Sequence, residues 1–168
     1  YMDEFCEVSG GDDWTKFIGY AFTPSTGGTR VTSDTFMTKY LEETINDNDA
    51  PVAGRLEKVE KTVKDMCGIH AVLRYLHLGH ANGNNDTNWD RAAAVYYGQD
   101  KLGSLYHRSE FLGGQFGTTS GGNSATNVKI NAAFRQGKQS SSTAVKAKRY
   151  EIIEHQMRIV YAQGIIKY

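Results

Sequence analysis

Little in this sequence suggests a crosslinked, membrane-spanning or polyelectrolyte protein. It holds two prolines and two cysteines among 168 residues. With 39% hydrophobic and 23% charged residues, that balance is of a folded globular chain and not of a disordered one. No CxxC or Cys/His cluster surrounds Cys6 or Cys67, which excludes the usual zinc and redox frameworks. The longest apolar runs are a few residues, too short to span a bilayer, and no signal-peptide pattern is visible. Lys plus Arg equals Asp plus Glu at 19 each, so no excess charge is available to attract DNA, RNA or an anionic membrane. There is no GxxxxGK[ST] loop, no GxSxG elbow and no His/Asn pattern near either cysteine. Nothing therefore marks a nucleotide enzyme or a hydrolase, and the chain reads as non-enzymatic.

What is present is helical periodicity. The length fits one domain, residues 1–168, large enough to bury a core without metals or disulfides. Residues 1–32 read as an irregular arm, with Gly10-Gly11, Gly27-Gly28 and Thr23-Pro24-Ser25 around an aromatic patch of Trp14, Phe17, Tyr20 and Phe22. Ser33 or Asp34 caps a helix to about Ile45. A longer helix spans about Gly54 to His80, with an inner face of Leu56, Val59, Val63, Met66, Cys67, His70, Leu73, Leu76 and His77. Asn88 is read as the N-cap of the next helix, with Trp89, Ala92, Ala93 and Tyr96 following at helical spacing and Gly98 and Gly103 as punctuation. A short helix holds Leu105 to Leu112, and "GTTSGGNS", Gly117 to Ser124, reads as a flexible loop. Val128, Ile130, Ala133 and Phe134 mark another helix ending near Gly137. The last helix runs from Ala144, with Ile152, Ile153, Met157, Val160, Tyr161 and Ile165 on its inner side. Strand signals are weak. The expectation is an all-α, compact multi-helix domain over residues 33–168 with a Gly- and aromatic-rich N-terminal arm.

Chemistry-bearing residues gather in "VYYGQDKLGSLYHRSEFLGGQFGT", Val95 to Thr118, and just before it. His107 and Glu110 form an HxxE pair that sits side by side on a helix. With Asp90, Tyr97 and Tyr106 they make a pool of carboxylate, phenolate and imidazole ligands, a set that favours ferric iron over softer metals. The plainer reading is a hydrophobic role for the tyrosines, with hydroxyls at the rim. His77 and His80 have metal-compatible spacing but read better as a packed or capping pair. Asn82 to Asp90 lacks the spacing and terminal Glu of an EF-hand. Cys6 and Cys67 are either two buried thiols or one disulfide tying the arm to a helix, and Asn85-Asp86-Thr87 is a glycosylation sequon at Asn85.

Four stretches in the second half resemble the algal low-iron-inducible periplasmic protein family, also called phytotransferrin-like. They are "NWDRAAAVYYG", "LYHRSEFLGGQFGT", "NVKINAAFRQGKQ" and "IIEHQMRIVYAQGIIKY", and they cover roughly residues 88–168. The resemblance implies a helical, non-enzymatic, extracytoplasmic or surface-associated protein that takes part in capture of ferric iron with a synergistic carbonate. It assigns no ligand residue by residue. The family carries cysteines near the aromatic-Gly-Thr turn and after the Phe-x-x-Gly segment, where this chain has Thr118-Thr119 and Ser140-Ser141-Ser142. Two functions follow as expectations. One is an iron-associated binding protein using the pool of Asp90, Tyr97, Tyr106, His107 and Glu110. The other is a structural accessory or linker subunit of a larger algal assembly, at a photosynthetic membrane, in the thylakoid lumen or at the cell surface. That subunit has protein partners, and its arm serves as docking element.

Overall fold

The computed structural model describes residues 33–81, 86–99 and 103–167. The N-terminal arm with its aromatic patch, Cys6 and the sequon's Asn85 lie outside the described residues, and with them the proposed Cys6–Cys67 bridge and the glycosylation site. The fold is all-α, with one very short hairpin. Contacts group the chain into two compact units, residues 1–70 and 71–168.

In the first unit, α1 (Ser33–Asn46) packs on α2 (Val52–Lys61). Between them Asp47 Oδ1 accepts from the amides of Asp49 and Ala50, both at 3.2 Å. This side chain mimics a backbone turn and reverses the chain. Arg55 Nη1 then donates to the Ile45 carbonyl at 2.6 Å, satisfying one of the acceptors that a helix C-terminus leaves open. Past α2 the chain widens into a π-helical segment, Thr62–Cys67. Thr62 Oγ1 bonds the Lys58 carbonyl at 2.8 Å at its start, a back-bond that competes with the helical ladder and often bends it. The widened turn rotates the helix face by about one residue. The stripe read as continuous from Leu56 therefore splits. Leu56 and Val63 are exposed, whereas Leu73 and Leu76 further along are fully buried. Cys67 is buried.

The second unit is built from the rest of α3 (Gly68–Ala81) and from α4 (Asp86–Tyr97), α5 (Leu105–Gln115), a β1–β2 hairpin (Thr119–Ser120 and Asn123–Ser124), α6 (Ala125–Gln139) and α7 (Thr143–Lys167). The segment expected as a flexible loop is this antiparallel hairpin, Thr119 facing Ser124 and Ser120 facing Asn123. Gly121 and Gly122 both have positive φ, 59° and 83°, which is what a two-residue turn matching strand twist demands. α4 begins at Asp86, so Asn88 is not its cap but a buried residue inside its first turn. Gly98, at φ 65°, closes α4 with its amide on the Ala94 carbonyl at 2.9 Å.

α6 and α7 form a helical hairpin and make the most extensive packing in the unit. α7 has 25 residues against the 15 of α6, so its C-terminal turns outrun that partner. Ile153, Met157 and Val160 are buried, but Tyr161 and Ile165, expected on the inner side, are exposed. The core centres on Trp89, whose benzo edge lies on Gly137 of α6. A Cβ at position 137 would collide with Cζ3 and Cη2 of that indole. Phe134 meets the same ring edge-on, centroids 6.3 Å apart at 89°. Burying an indole of this size stabilises the unit by on the order of 5 kcal/mol. Gly137→Ala is expected to destabilise the protein by about 2–3 kcal/mol in chemical denaturation, because the overpacked indole must move. Gly114→Ala, whose added Cβ meets nothing within 4 Å, should change stability by less than about 1 kcal/mol or raise it.

Candidate functional site

The five residues of the ligand pool fall on α4 and α5, and only part of them converge. Tyr97 and Tyr106 meet with ring centroids 5.6 Å apart, and Tyr96 joins at 5.3 Å from Tyr97 and 6.2 Å from Tyr106. Phe134 of α6 closes the cluster. Glu110 reaches the edge of this group and faces the Tyr106 phenol. Asp90 and His107 stand apart. Asp90 Oδ2 pairs with Lys138 Nζ at 2.7 Å on the surface, and the His107 side chain is exposed. The backbone amide of His107 is bound by Ser104 Oγ at 3.1 Å, the N-cap of α5.

Each group that does converge already has a polar task. Tyr97 Oη donates to Asn131 Oδ1 at 2.6 Å. Glu110 accepts from the Ser124 amide at 2.9 Å and from Asn127 Nδ2 at 2.5 Å. Desolvation pushes the phenols of Tyr96, Tyr97 and Tyr106 above their ordinary range. Tyr106 raises Tyr97 further while Arg135 opposes it, and the charge and hydrogen bond of Glu110 raise Tyr106 further. Among the described residues, no three His, Cys, Asp or Glu side chains gather where a metal could be held.

Sequence reasoning missed the polar centre behind this cluster. Asn127 is fully buried and fully employed. Its Oδ1 accepts from Tyr96 Oη, and its Nδ2 donates to Glu110 and to the Tyr106 carbonyl at 3.0 Å. Beside it, Ser109, Ser124 and Thr126 form a closed hydroxyl triangle with edges of 3.1, 2.5 and 2.5 Å. Gly113 lets β2 approach, since a Cβ there would lie 2.7 Å from that of Ser124. In sequence these are ordinary loop-type residues, and only their contact across α5, β2 and α6 gives them meaning. Lys146 was equally illegible. It is 0% exposed, its Nζ lies 2.5 Å from Asp86 Oδ1, and it stands over the Trp89 ring at 5.9 Å. That pairing holds the Asp86 carboxyl below the usual carboxylate range.

Two other features of the second unit carry chemistry. Between α4 and α6 lies an open cleft of about 480 Å³. Asp90, Ala93 and Tyr97 line one side, and Asn131, Phe134, Arg135 and Lys138 line the other, with Trp89 between. At the α3–α7 contact, His77 and His80 meet edge-on at 5.1 Å and both touch the Tyr150 ring, as a packed pair does. The Leu76 carbonyl lies 3.0 Å from His80 Nδ1.

Charge is unevenly spread. Residues 71–168 carry twelve Lys and Arg against six Asp and Glu, and residues 1–70 carry seven against thirteen. Large apolar side chains are exposed where α5 and α7 end together: Phe111 at 42%, Phe116 at 39%, Ile165 at 63% and Ile166 at 73%. Lys167 Nζ lies 3.8 Å above the Phe111 ring and Gly164 lies beside Arg108 and Leu112, so the C-terminal end of α7 runs along α5.

No protein-family model, curated protein or solved structure matches the chain.

Tyr96→Phe removes the phenolic donor and leaves buried Asn127 Oδ1 unsatisfied, at an expected cost of about 1–3 kcal/mol by denaturant melt. Burial lowers the His80 pKa from 6.5, with His77 adding to the effect and the Leu76 carbonyl and Glu151 opposing it. The unfolded chain therefore binds this proton more readily than the folded one. Stability due to His80 is intact above pH 6.5 and is lost as pH falls through that value towards the folded pKa. His80→Gln should flatten the pH dependence of stability in this window, measured as the difference from the unchanged protein.

Proposed function

We propose that this chain is a non-enzymatic accessory protein that docks on a larger assembly through the apolar end shared by α5 and α7. The carrying observation is the exposure of Phe111, Phe116, Ile165 and Ile166 at that end. Isolated apolar side chains on a surface are ordinary, but four large ones at one end of a unit mark a contact surface. Lys167 and Arg108 border the patch, and the unit around it carries a twofold excess of basic residues. The partner that fits is a protein segment with an apolar face. No described helix is long and apolar enough to cross a membrane.

The pool's geometry supports this reading over ferric-iron binding. A ferric site needs phenolates, and burial pushes the phenols of Tyr97 and Tyr106 upward. It also needs free carboxylates, and Glu110 and Asp90 are spent on Asn127, Ser124 and Lys138.

Two measurements test the proposal. The protein should co-purify from its native extract at fixed stoichiometry, and the double substitution Ile165→Lys with Ile166→Lys should abolish that association with unchanged circular dichroism. Retention on phosphatidylserine vesicles without a protein partner overturns it in favour of a membrane surface, and a native monomer that associates with neither also overturns it. Ferric iron with bicarbonate should leave the visible spectrum flat. A phenolate-to-iron band that disappears in Tyr97→Phe returns the assignment to iron binding.

A further inference from the structure

We propose that the cleft between α4 and α6 binds a small planar ring bearing a single anionic group, such as an aromatic carboxylate. Its volume, about 480 Å³, lies in the range of small-molecule sites. Its walls supply two kinds of contact. Half-buried Tyr97 presents aromatic surface, backed by the buried rings of Trp89 and Phe134, and Ala93 keeps the α4 side open where a longer side chain would fill the space. Asn131 and Arg135 lie four residues apart on α6 and so project from one face of that helix into the same cleft.

The polar groups select for an anion. Tyr97 Oη occupies Asn131 Oδ1, which leaves the amide nitrogen of Asn131 as the group turned to a ligand, and that nitrogen only donates. Arg135 makes no ion pair among the described residues, whereas the cleft's single carboxylate, Asp90, is held by Lys138 at 2.7 Å. Asp90 is therefore compensated, Arg135 is not, and the cleft carries one net positive charge. A guanidinium and an amide donor spaced along one helix face suit a planar carboxylate. The ring attached to it would lie against Tyr97, over the exposed edge of the otherwise buried Phe134. A cationic ligand would meet Arg135, and a neutral ring would leave its charge unanswered. This site is separate from the α5–α7 end, so its existence does not depend on the docking proposal.

The probe is naphthalene-2-carboxylate, with 2-naphthylmethanol as its neutral counterpart, followed by amide chemical shifts in two-dimensional NMR of the full chain. Shifts should cluster at Ala93, Asn131, Arg135 and Lys138, and the carboxylate should bind about tenfold more tightly than the alcohol, the difference one charged hydrogen bond makes. Arg135→Gln, an exposed substitution, should reduce carboxylate binding to the level of the alcohol and leave alcohol binding unchanged. Ala93→Leu should abolish binding of both. Equal affinities for the two probes, shifts centred on the α5–α7 end, no shifts at all, or carboxylate binding indifferent to Arg135→Gln each overturn the proposal. If Ala93→Leu disturbs the whole spectrum, the Arg135→Gln comparison decides alone.

Discussion

The close approach of the Trp89 indole to the backbone of Gly137 is the constraint from which the rest of residues 71–168 follows. A large flat side chain at the start of α4 can lie this near α6 only if α6 presents no Cβ there. With that spacing fixed, Phe134 meets the indole edge-on, one turn back along α6. Lys146 of α7 arrives over the same ring and reaches Asp86 in the first turn of α4. One contact thus ties three helices. It also shapes the cleft. α4 is held against α6 at its Trp89 end, small Ala93 follows one turn later, and Tyr97, Asn131 and Arg135 line the cleft beyond it.

The tyrosines face the opposite demand. In a dry interior a phenol is tolerable when its proton goes to an acceptor, and both Tyr96 and Tyr97 give theirs to asparagine oxygens. The arrangement around Asn127 is directional. Its amide nitrogen is committed to Glu110 and to the Tyr106 carbonyl, so it cannot turn to serve a phenolate at Tyr96. Ionising that ring would set an oxyanion against a carbonyl-type oxygen, in a site whose desolvation outweighs the hydrogen bond that Ser109 offers. The hydroxyl triangle of Ser109, Ser124 and Thr126 is closed in the same sense, each oxygen bonded to the other two. Such a network fixes α5, the hairpin and α6 in one register at no cost in unsatisfied groups. A metal would have to dismantle it.

Helix existence was legible because apolar spacing reports directly which face needs cover. The start near Ser33, the stop at Gly98 and the helix centred on Ile130 were all readable in that way. Position along a face was less legible where geometry departs from 3.6 residues per turn. The π segment at Thr62–Cys67 shifts the stripe that includes Leu56 and Val63, and nothing in "TVKDMC" announces it. The hairpin was hidden for another reason. "GTTSGGNS" has no apolar alternation, because its strands are two residues long and are held by hydroxyl contacts and by Gly113 rather than by a buried face. Of the site, the sequence placed aromatics and carboxylates near Tyr97; Tyr96, Tyr97 and Tyr106 do meet there, but of the carboxylates only Glu110 reaches them. It could not show that Asn127 and Asn131, thirty residues on, occupy their polar atoms. Nor could it show that Lys146, a residue type almost never fully buried, is buried against the indole.

Overall neutrality illustrates how a correct number can mislead about local chemistry. Equal counts of acids and bases rule out a strong field for the chain as a whole, but the acids are concentrated in residues 1–70 and the bases in residues 71–168. At physiological ionic strength the field of an exposed charge fades over about 8 Å, so a ligand at a surface responds to the groups beside it and not to the net charge of the molecule. What matters at the cleft is that Asp90 is answered by Lys138, whereas Arg135 makes no ion pair among the described residues. What matters at the helix ends is that Lys167 and Arg108 border apolar rings and aliphatic chains. The charge a ligand would meet in the cleft is thus set by the cleft's own lining, which the net charge of the chain does not report.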